Sequence, residues 1–274
     1  MQPFDTIDWD LLAQDELQFG NLALVLGDLG KHFREYHASG PKNGEFEQNW
    51  LRTMASCINT VASDQVLDIG SGFAPIASYV LAQHYTCVET EPACVDYLKS
   101  KGLVVIPKPW MDCQSLPVVD HVFCIRALGV VSLNSDNRLC LSESLEKMTA
   151  CARKKVHVVM RNFRWYEPLE AELRGIGNSG FAKDPYLFPL PLLLQLGYTP
   201  DLKWFTWTSV LEFNTREDML NSELKNVNTN LMKPGAEQDL SEYLLATSQM
   251  GSDGKVLRTA TYKNYILQWG KAGG

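Results

Sequence analysis

The chain has 274 residues, of which 45% are hydrophobic and 21% are charged. A chain of this length buries about 70–75% of its unfolded surface, so its core needs neither a disulfide nor a metal. The 25 Lys and Arg against 32 Asp and Glu give a net charge of −7. This balance argues against a protein held to nucleic acid by phosphate contacts.

Cysteine usage and the N-terminus indicate the compartment. The seven cysteines form an odd set without a CxxC pair, which predicts neither a disulfide framework nor a zinc ribbon. No HExxH, clustered His and Cys, or calcium-type loop is present, so no metal is expected. The first ten residues do not resemble a signal peptide, and no apolar run reaches the ~18 residues of a membrane span. We expect a cytoplasmic protein without a membrane partner, and its oligomeric state is open.

The predicted elements fall into a helical front and an α/β body. Residues 1–62 carry apolar residues at helical spacing and are predicted to form an N-terminal cap or lid, with a break at 39–44. From residue 63 to 274, short apolar runs alternate with amphipathic stretches, which is typical of βαβ units around a parallel sheet. We therefore predict one domain with a helical front.

Seven strands are predicted in the body, at 66–69, 85–89, 103–106, 118–125, 156–160, 203–213 and 259–269. Helices are predicted at 75–83, 93–101, 142–151 and 190–196. An irregular insertion covers about 163–200, and a polar helical excursion covers about 215–249. Because the strands are apolar on both faces, we expect helices on both sides of the sheet.

The clearest local feature is the turn after the first predicted strand, Asp68-Ile69-Gly70-Ser71-Gly72. Gly70 and Gly72 lack a Cβ, so a ligand could lie against the backbone there. A dinucleotide-binding turn would need a third glycine at Pro75, and a pyrophosphate has no use for the acid at Asp68. A cationic ligand would tolerate that acid. The alternative is a glycine-rich turn in an unrelated α/β protein.

Two later segments also place candidate ligand-binding residues at the ends of predicted strands. Glu89 ends the second predicted strand, where an acid is placed to accept both hydroxyls of a ribose; the alternative is a solvated surface residue. Trp110-Met111-Asp112 follow the third predicted strand. There a carboxylate could accept a hydrogen bond from an adenine amino group beside an apolar wall, although packing of Trp110 in the core is equally plausible.

In order and spacing these segments resemble the cofactor motifs of class I S-adenosylmethionine-dependent methyltransferases, with Ala74 at the third glycine position. The resemblance implies a Rossmann-like, mostly parallel seven-stranded sheet with helices on both faces and an antiparallel last strand. It also implies S-adenosylmethionine (SAM) as cofactor and S-adenosylhomocysteine (SAH) as product. The implied cofactor-binding residues are Tyr36, Asp68, Gly70, Ser71, Gly72, Glu89, Thr90, Trp110, Met111, Asp112, Ile125 and Arg126.

Features outside these motifs extend the resemblance. Phe33-x-x-Tyr36 is similar to an element of the helical front in many small-molecule members, where the Tyr covers the cofactor. Asp8-Trp9 and the Gly197-Tyr198 turn resemble a group of bacterial members.

The end of the fourth predicted strand indicates which classes of methyl acceptor are unlikely. Members that methylate DNA adenine or glutamine carry Asn/Asp-Pro-Pro-Tyr/Phe there, whereas this chain has Cys124-Ile125-Arg126. Cys124 also lacks the preceding proline of a catalytic cysteine, so we expect it to pack in the core. These absences favour a methyltransferase acting on a small molecule, with no nucleic-acid partner.

The sequence gives a weaker signal for the residue that would activate the methyl acceptor than for the cofactor site. His37, beside Tyr36, is the predicted general base, with a helix cap or surface residue as the alternative. Arg126 and Arg161 could hold a carboxylate of the cofactor or acceptor, or form surface salt bridges. Because no acceptor-activating residue stands out, a second hypothesis is a non-catalytic SAM sensor or interaction protein that retains the fold.

Overall fold

A computed structural model describes residues 7–8, 11, 45–136, 138–165, 189–224 and 235–270. Most of the predicted helical front, with Tyr36 and His37, lies outside the described residues, and so does the middle of the predicted insertion. The described chain therefore tests the sheet and its strand ends. It leaves the lid and the general base as predictions.

The sheet is built from eight strands among the described residues. They are β1 (Gln65–Ile69), β2 (His84–Val88), β3 (Val104–Ile106), β4 (Val119–Ile125), β5 (Ala152–Trp165), β6 (Asp201–Phe213), β7 (Ser248–Met250) and β8 (Val256–Trp269). Their order is β3-β2-β1-β4-β5-β8-β6, with β7 paired to β8.

Strand direction and order confirm the predicted kind of fold. The pairs β1–β2, β2–β3, β1–β4 and β4–β5 are parallel, and β7–β8 is antiparallel. The chain moves outward from β1 to β3 and then returns to place β4 on the other side of β1. This is the topological switch point of a doubly wound α/β sheet, where ligands bind beyond the carboxyl ends of the strands.

The helices are α1 (Glu45–Ser56), α2 (Pro92–Ser100), α3 (Leu128–Val131), α4 (Leu141–Cys151), α5 (Pro189–Gln195), α6 (Arg216–Leu224) and α7 (Ala236–Ala246). None of these described helices is both long and apolar enough to cross a membrane. The predicted excursion at 215–249 contains α6, α7 and, at its end, the start of β7.

The predicted helix over 75–83 is wrong, because only a 3₁₀ turn over Pro75–Ser78 forms. The backbone N–H groups that would continue a helix donate instead to the segment before β1. Leu81 N–H donates to Thr60 Oγ1 at 3.1 Å, and Gln83 N–H donates to the Asp64 carbonyl at 2.7 Å. These bonds return the chain at once to the start of β2.

The main core lies around β1, β4 and β5. Leu67, Val122 and Val158 are fully buried in these strands, and Leu145 and Met148 of α4 pack in the same cluster. Cys124 is also fully buried there, as its position within the strand predicted. Burial raises the pKa of its thiol, so it stays protonated and unreactive.

The chain divides into two compact units. The first contains residues 1–160, 186–203 and 265–274, and the second contains 161–185 and 204–264. The second unit has a core of its own, in which Met219, Leu240 and Leu244 are fully buried. The sequence analysis placed these two units in one domain. The implied cofactor-binding residues that the structure describes all belong to the first unit, whereas Arg161 belongs to the second.

Candidate cofactor-binding site

The turn after β1 has a left-handed backbone at alternate residues. Gly70 has a φ of 65°, Gly72 of 54° and Ala74 of 45°. The N–H groups of Gly70 and Ser71 both donate to the Val88 carbonyl, at 2.9 and 3.3 Å. The end of β2 thus holds the turn, and Ala74 adopts a conformation that favours glycine, the residue expected there from the family motif.

Gly70 has a packing role that the sequence analysis did not predict. A Cβ at this position would lie 2.6 Å from Ala127 Cβ and 2.7 Å from Val131 Cγ1, so it would collide with the start of α3. The absence of a side chain therefore admits α3 against the turn, rather than a ligand. The predicted role of Gly72, an open backbone beside a ligand, stays a prediction.

We expect Gly70→Ala to lower the free energy of unfolding by about 2–5 kcal/mol, because it adds left-handed strain and a steric overlap. Gly102→Ala is the matched control, since Gly102 has a φ of 76° and open space around its Cβ position. The control should cost only about 1 kcal/mol. Urea unfolding of both variants measures the difference, and equal losses would contradict the packing role.

Glu89 holds the glycine turn from the tip of β2. Its Oε2 accepts the Gly72 N–H at 2.6 Å, and its Oε1 accepts the N–H groups of Thr90 and Glu91 at 2.7 and 2.9 Å. Three backbone donors orient one half-buried carboxylate beside the turn. Asp68, Gly72 and Glu89 are thereby brought to one place, as the spacing predicted, while the Thr90 side chain is exposed.

Asp68 lies beneath this turn with one oxygen unpaired. The residue is 2% exposed, and its Oδ2 accepts the Tyr85 hydroxyl at 2.7 Å. Its Oδ1 has no hydrogen-bond partner in the part of the chain that the structure describes. Burial raises the pKa of Asp68 to about 7. The hydrogen bond from Tyr85 lowers this pKa, and the charge of Glu89 raises it further.

Tyr85 is a contact of this site that the sequence analysis missed. It pairs with Val66 in the parallel register, and Cys87, two residues further, lies opposite Asp68. A diagonal contact across two residues brings the hydroxyl to the carboxylate. The available signal was a tyrosine in the strand that follows the one with Asp68.

The raised pKa makes stability depend on pH. Because Asp68 binds its proton more tightly in the folded chain, its stabilising contribution is complete below the ordinary pKa of about 4 and is lost as pH rises through 7. We expect Asp68→Asn to be more stable than the wild type at pH 8, by about 1–3 kcal/mol, with little difference at pH 4.

Thermal unfolding across this pH range tests the expectation. Asp96→Asn, on the exposed surface of α2, is the control and should unfold in parallel with the wild type. A pH profile of Asp68→Asn that also runs parallel to the wild type would contradict a raised pKa.

The loop after β3 is fixed to α4. Trp110 is 2% exposed and donates its indole N–H to Ser144 Oγ at 3.0 Å. Lys147 Nζ donates to the Trp110 and Met111 carbonyls at 2.6 and 3.1 Å. Trp110 therefore packs in the core, because a buried indole offers little surface to a nucleobase. Met111 is half-buried and Asp112 exposed, so both stay candidates for the base.

Arg126 lies at the end of β4, across the switch point from the glycine turn. It has a φ of 59°, and its N–H donates to the Val159 carbonyl at 2.8 Å. Its guanidinium carbon lies 4.0 Å from the ring centroid of Trp50 in α1, a cation–π contact. A left-handed non-glycine residue is a marker of functional strain. Ile125, half-buried beside it, completes the described strand end.

The structure thus gathers Asp68, Ser71, Gly72 and Glu89 around one turn and places Arg126 on the neighbouring strand end. Within the described ranges, no three His, Cys, Asp or Glu side chains form a group that could hold a metal ion. The arrangement offers a buried carboxylate oxygen on Asp68 and a second, half-buried carboxylate on Glu89, which accepts the Gly72 N–H. This set suits a cationic nucleoside.

Comparisons with known proteins find solved structures of low sequence identity. No family model matches the chain, and no curated protein is similar to it. A precorrin-8w decarboxylase from Methanobacterium thermoautotrophicum is 10% identical over 85% of this chain and 94% of its own, with a TM-score of 0.48. A precorrin-6y C5,15-methyltransferase from Geobacter metallireducens is 11% identical over 79% of this chain and 86% of its own, with a TM-score of 0.44.

Coclaurine N-methyltransferase bound to N-methylheliamine and SAH is 11% identical over 83% of this chain and 72% of its own, with a TM-score of 0.45. Methyltransferases are thus among the solved structures to which this chain is similar. At identities of 10–11% and TM-scores below 0.5, the ligand and the reaction must be argued from the site itself.

Proposed function

We propose that this protein is a SAM-dependent methyltransferase that acts on a small molecule. The observation that carries the proposal is the unpaired Oδ1 of Asp68, a buried carboxylate oxygen directly below a glycine turn. An unsatisfied buried polar atom costs about 1–3 kcal/mol, and a bound cationic group would remove that cost. SAM carries two cationic groups, its sulfonium and its ammonium, on a nucleoside.

The residues around the turn fit the parts of this cofactor. Asp68 would neutralise a cationic group of the amino-acid portion, and Gly72 would leave room for the chain of the ligand along the backbone. Glu89 would accept the ribose hydroxyls, and Asp112 the adenine amino group. When bound, SAM supplies the electrophilic methyl group. The protein then has to hold the acceptor in line with that methyl and exclude water.

A small acceptor is supported by two features of the chain. The net charge of −7 is unsuited to a long phosphate backbone. The end of β4 carries Arg126 over Trp50 in place of the Asn/Asp-Pro-Pro-Tyr/Phe element. His37 is proposed as the base for hydroxyl or ammonium acceptors, and Tyr36 as a cover over the cofactor.

Calorimetric titration with SAH tests the cofactor site. We expect binding by the wild type and a loss of about 1–3 kcal/mol in Glu89→Gln, because a charged acceptor of ribose hydroxyls is removed. Glu91→Gln is the matched control, since Glu91 lends only its backbone N–H to the site. Circular dichroism verifies that both variants fold. Absence of any heat with folded wild-type protein would end the proposal.

The pH dependence of binding identifies the group that Asp68 meets. A bound cation favours the charged form of Asp68, so binding of SAM should release the proton of Asp68. SAM affinity should therefore rise with pH through about 7 and level off above it. Asp68→Asn should bind more weakly and with a flat profile. If the sulfonium is the partner, SAH should show a smaller pH effect than SAM; if the ammonium is, the two should match. A steep profile in Asp68→Asn would exclude Asp68 as the titrating group.

The second candidate function is a SAM-binding sensor without catalysis. This candidate is favoured because no histidine that could act as a base lies beside the turn among the described residues at the ends of β1, β2 and β4. Incubating the protein and methyl-labelled SAM with a metabolite extract separates the two candidates. Label on a small molecule supports the enzyme, whereas SAH binding without transfer supports the sensor.

A further inference from the structure

A second cavity, of about 270 Å³, lies at the opposite end of the sheet from the glycine turn. Asp64, which lines it, precedes β1, whereas Gly70 follows β1. The five residues of β1 separate the two ends by about 16 Å at roughly 3.3 Å per residue. All residues around the cavity belong to the first unit, and none belongs to the proposed cofactor site.

The floor of this cavity is a chain of buried polar side chains. Gln268 Nε2 lies 3.0 Å from His157 Nδ1, and His157 Nε2 lies 2.9 Å from His121 Nδ1. His121 Nε2 then lies 3.2 Å from Asp64 Oδ2. All four residues are at most 4% exposed. Gln268 Nε2 also donates to the Cys57 carbonyl at 3.1 Å.

The protons of this chain have one consistent arrangement. Because the Gln268 amide donates, His157 Nδ1 accepts and its Nε2–H donates to His121 Nδ1. His121 Nε2–H then donates to Asp64. Both rings are neutral in this arrangement. Burial lowers the pKa of each, that of His157 to about 3, with His121, Lys155 and Lys203 adding to the effect on His157.

Above this neutral floor the cavity carries excess positive charge. Lys154, Lys155 and Lys203 line it together with a single carboxylate, Asp64, so its charge is 3 − 1 = +2. Asp64 is already engaged by Lys154, the Val61 N–H and His121. These contacts leave it no free charge to offer the other two lysines.

The neighbouring acids cancel this charge only in part. Asp120 is paired with Arg153 at 3.2 Å and lies 3.7 Å from Lys154 Nζ, and Asp201 pairs with Lys155 at 3.8 Å, where both side chains are exposed. Within the described chain, Lys203 has no carboxylate at ion-pair distance. Burial is the main cause of the lowered pKa of His157, and the charges of Lys155 and Lys203 act in the same direction.

We propose that this cavity is a binding site for a small oxyanion of the phosphate type, held by Lys155 and Lys203 above the His157–His121 floor. Asn59, which also lines the cavity, supplies an amide donor. A cavity of this size holds a phosphate group with a short organic substituent. The anion supplies the negative charge that Lys203 lacks, and it adds to the single exposed ion pair of Lys155. The site is independent of SAM, so its test does not depend on the proposed function.

The test is titration of the full-length protein with inorganic phosphate, followed through the ring nitrogen signals of the two histidines. We expect saturable shifts of the His157 signals, and no such shifts with chloride at equal ionic strength. Lys203→Gln and Lys155→Gln should each weaken phosphate binding by about tenfold, as loss of one charge-assisted hydrogen bond predicts. Lys99→Gln, at the exposed end of α2, is the control and should bind as the wild type does.

A second arm separates free phosphate from a phosphorylated metabolite. Glycerol 3-phosphate is titrated in the same way, and tighter binding than inorganic phosphate assigns the site to an esterified phosphate. Tighter binding of inorganic phosphate assigns it to the free ion. Shifts that follow ionic strength alone, or an affinity unchanged in folded Lys203→Gln, would overturn the proposal.

Discussion

The candidate site depends on one carboxylate, Glu89, that receives three backbone N–H groups. Because β1 and β2 are parallel neighbours, their carboxyl ends lie about one strand spacing apart, near 4.8 Å. Glu89 spans this gap through its 2.6 Å contact with the Gly72 N–H. The glycine turn is therefore ordered by the strand beside it before any ligand arrives. Such preorganisation reduces the entropy that binding would otherwise lose.

The two acids of the site differ because their surroundings differ. Glu89 accepts three backbone N–H groups, whereas Asp68 is buried with a single hydroxyl partner among the described residues. Burial without full hydrogen bonding favours the neutral acid, and so the pKa of Asp68 rises to about 7. One acid is thus ready to accept hydroxyl groups, and the other gains its charge when a cation is near.

The sequence predicts those features that follow from local pattern, and it fails where long-range contacts decide. Buried apolar runs place β1 and β4 within one residue, because a sheet covered on both faces needs them. The helix over 75–83 fails because Gln83 pairs with Asp64. For Trp110 the sequence left two alternatives open, and the contact with Ser144, 34 residues later, favours core packing. β5 begins earlier than predicted, at Ala152, because its charged residues pair with acids beside neighbouring strands.

The two ends of the sheet handle buried polar groups in opposite ways. At the amino end, each nitrogen of His121 and His157 has a partner, so that network stabilises the fold without a ligand. At the carboxyl end, Asp68 keeps an oxygen unpaired, which lowers the stability of the protein alone. An unpaired buried oxygen persists only where something else recovers the loss. This asymmetry favours the glycine turn as the proposed cofactor site. At the amino end, in contrast, the buried network is complete, and the positive charge above it is what would attract a ligand.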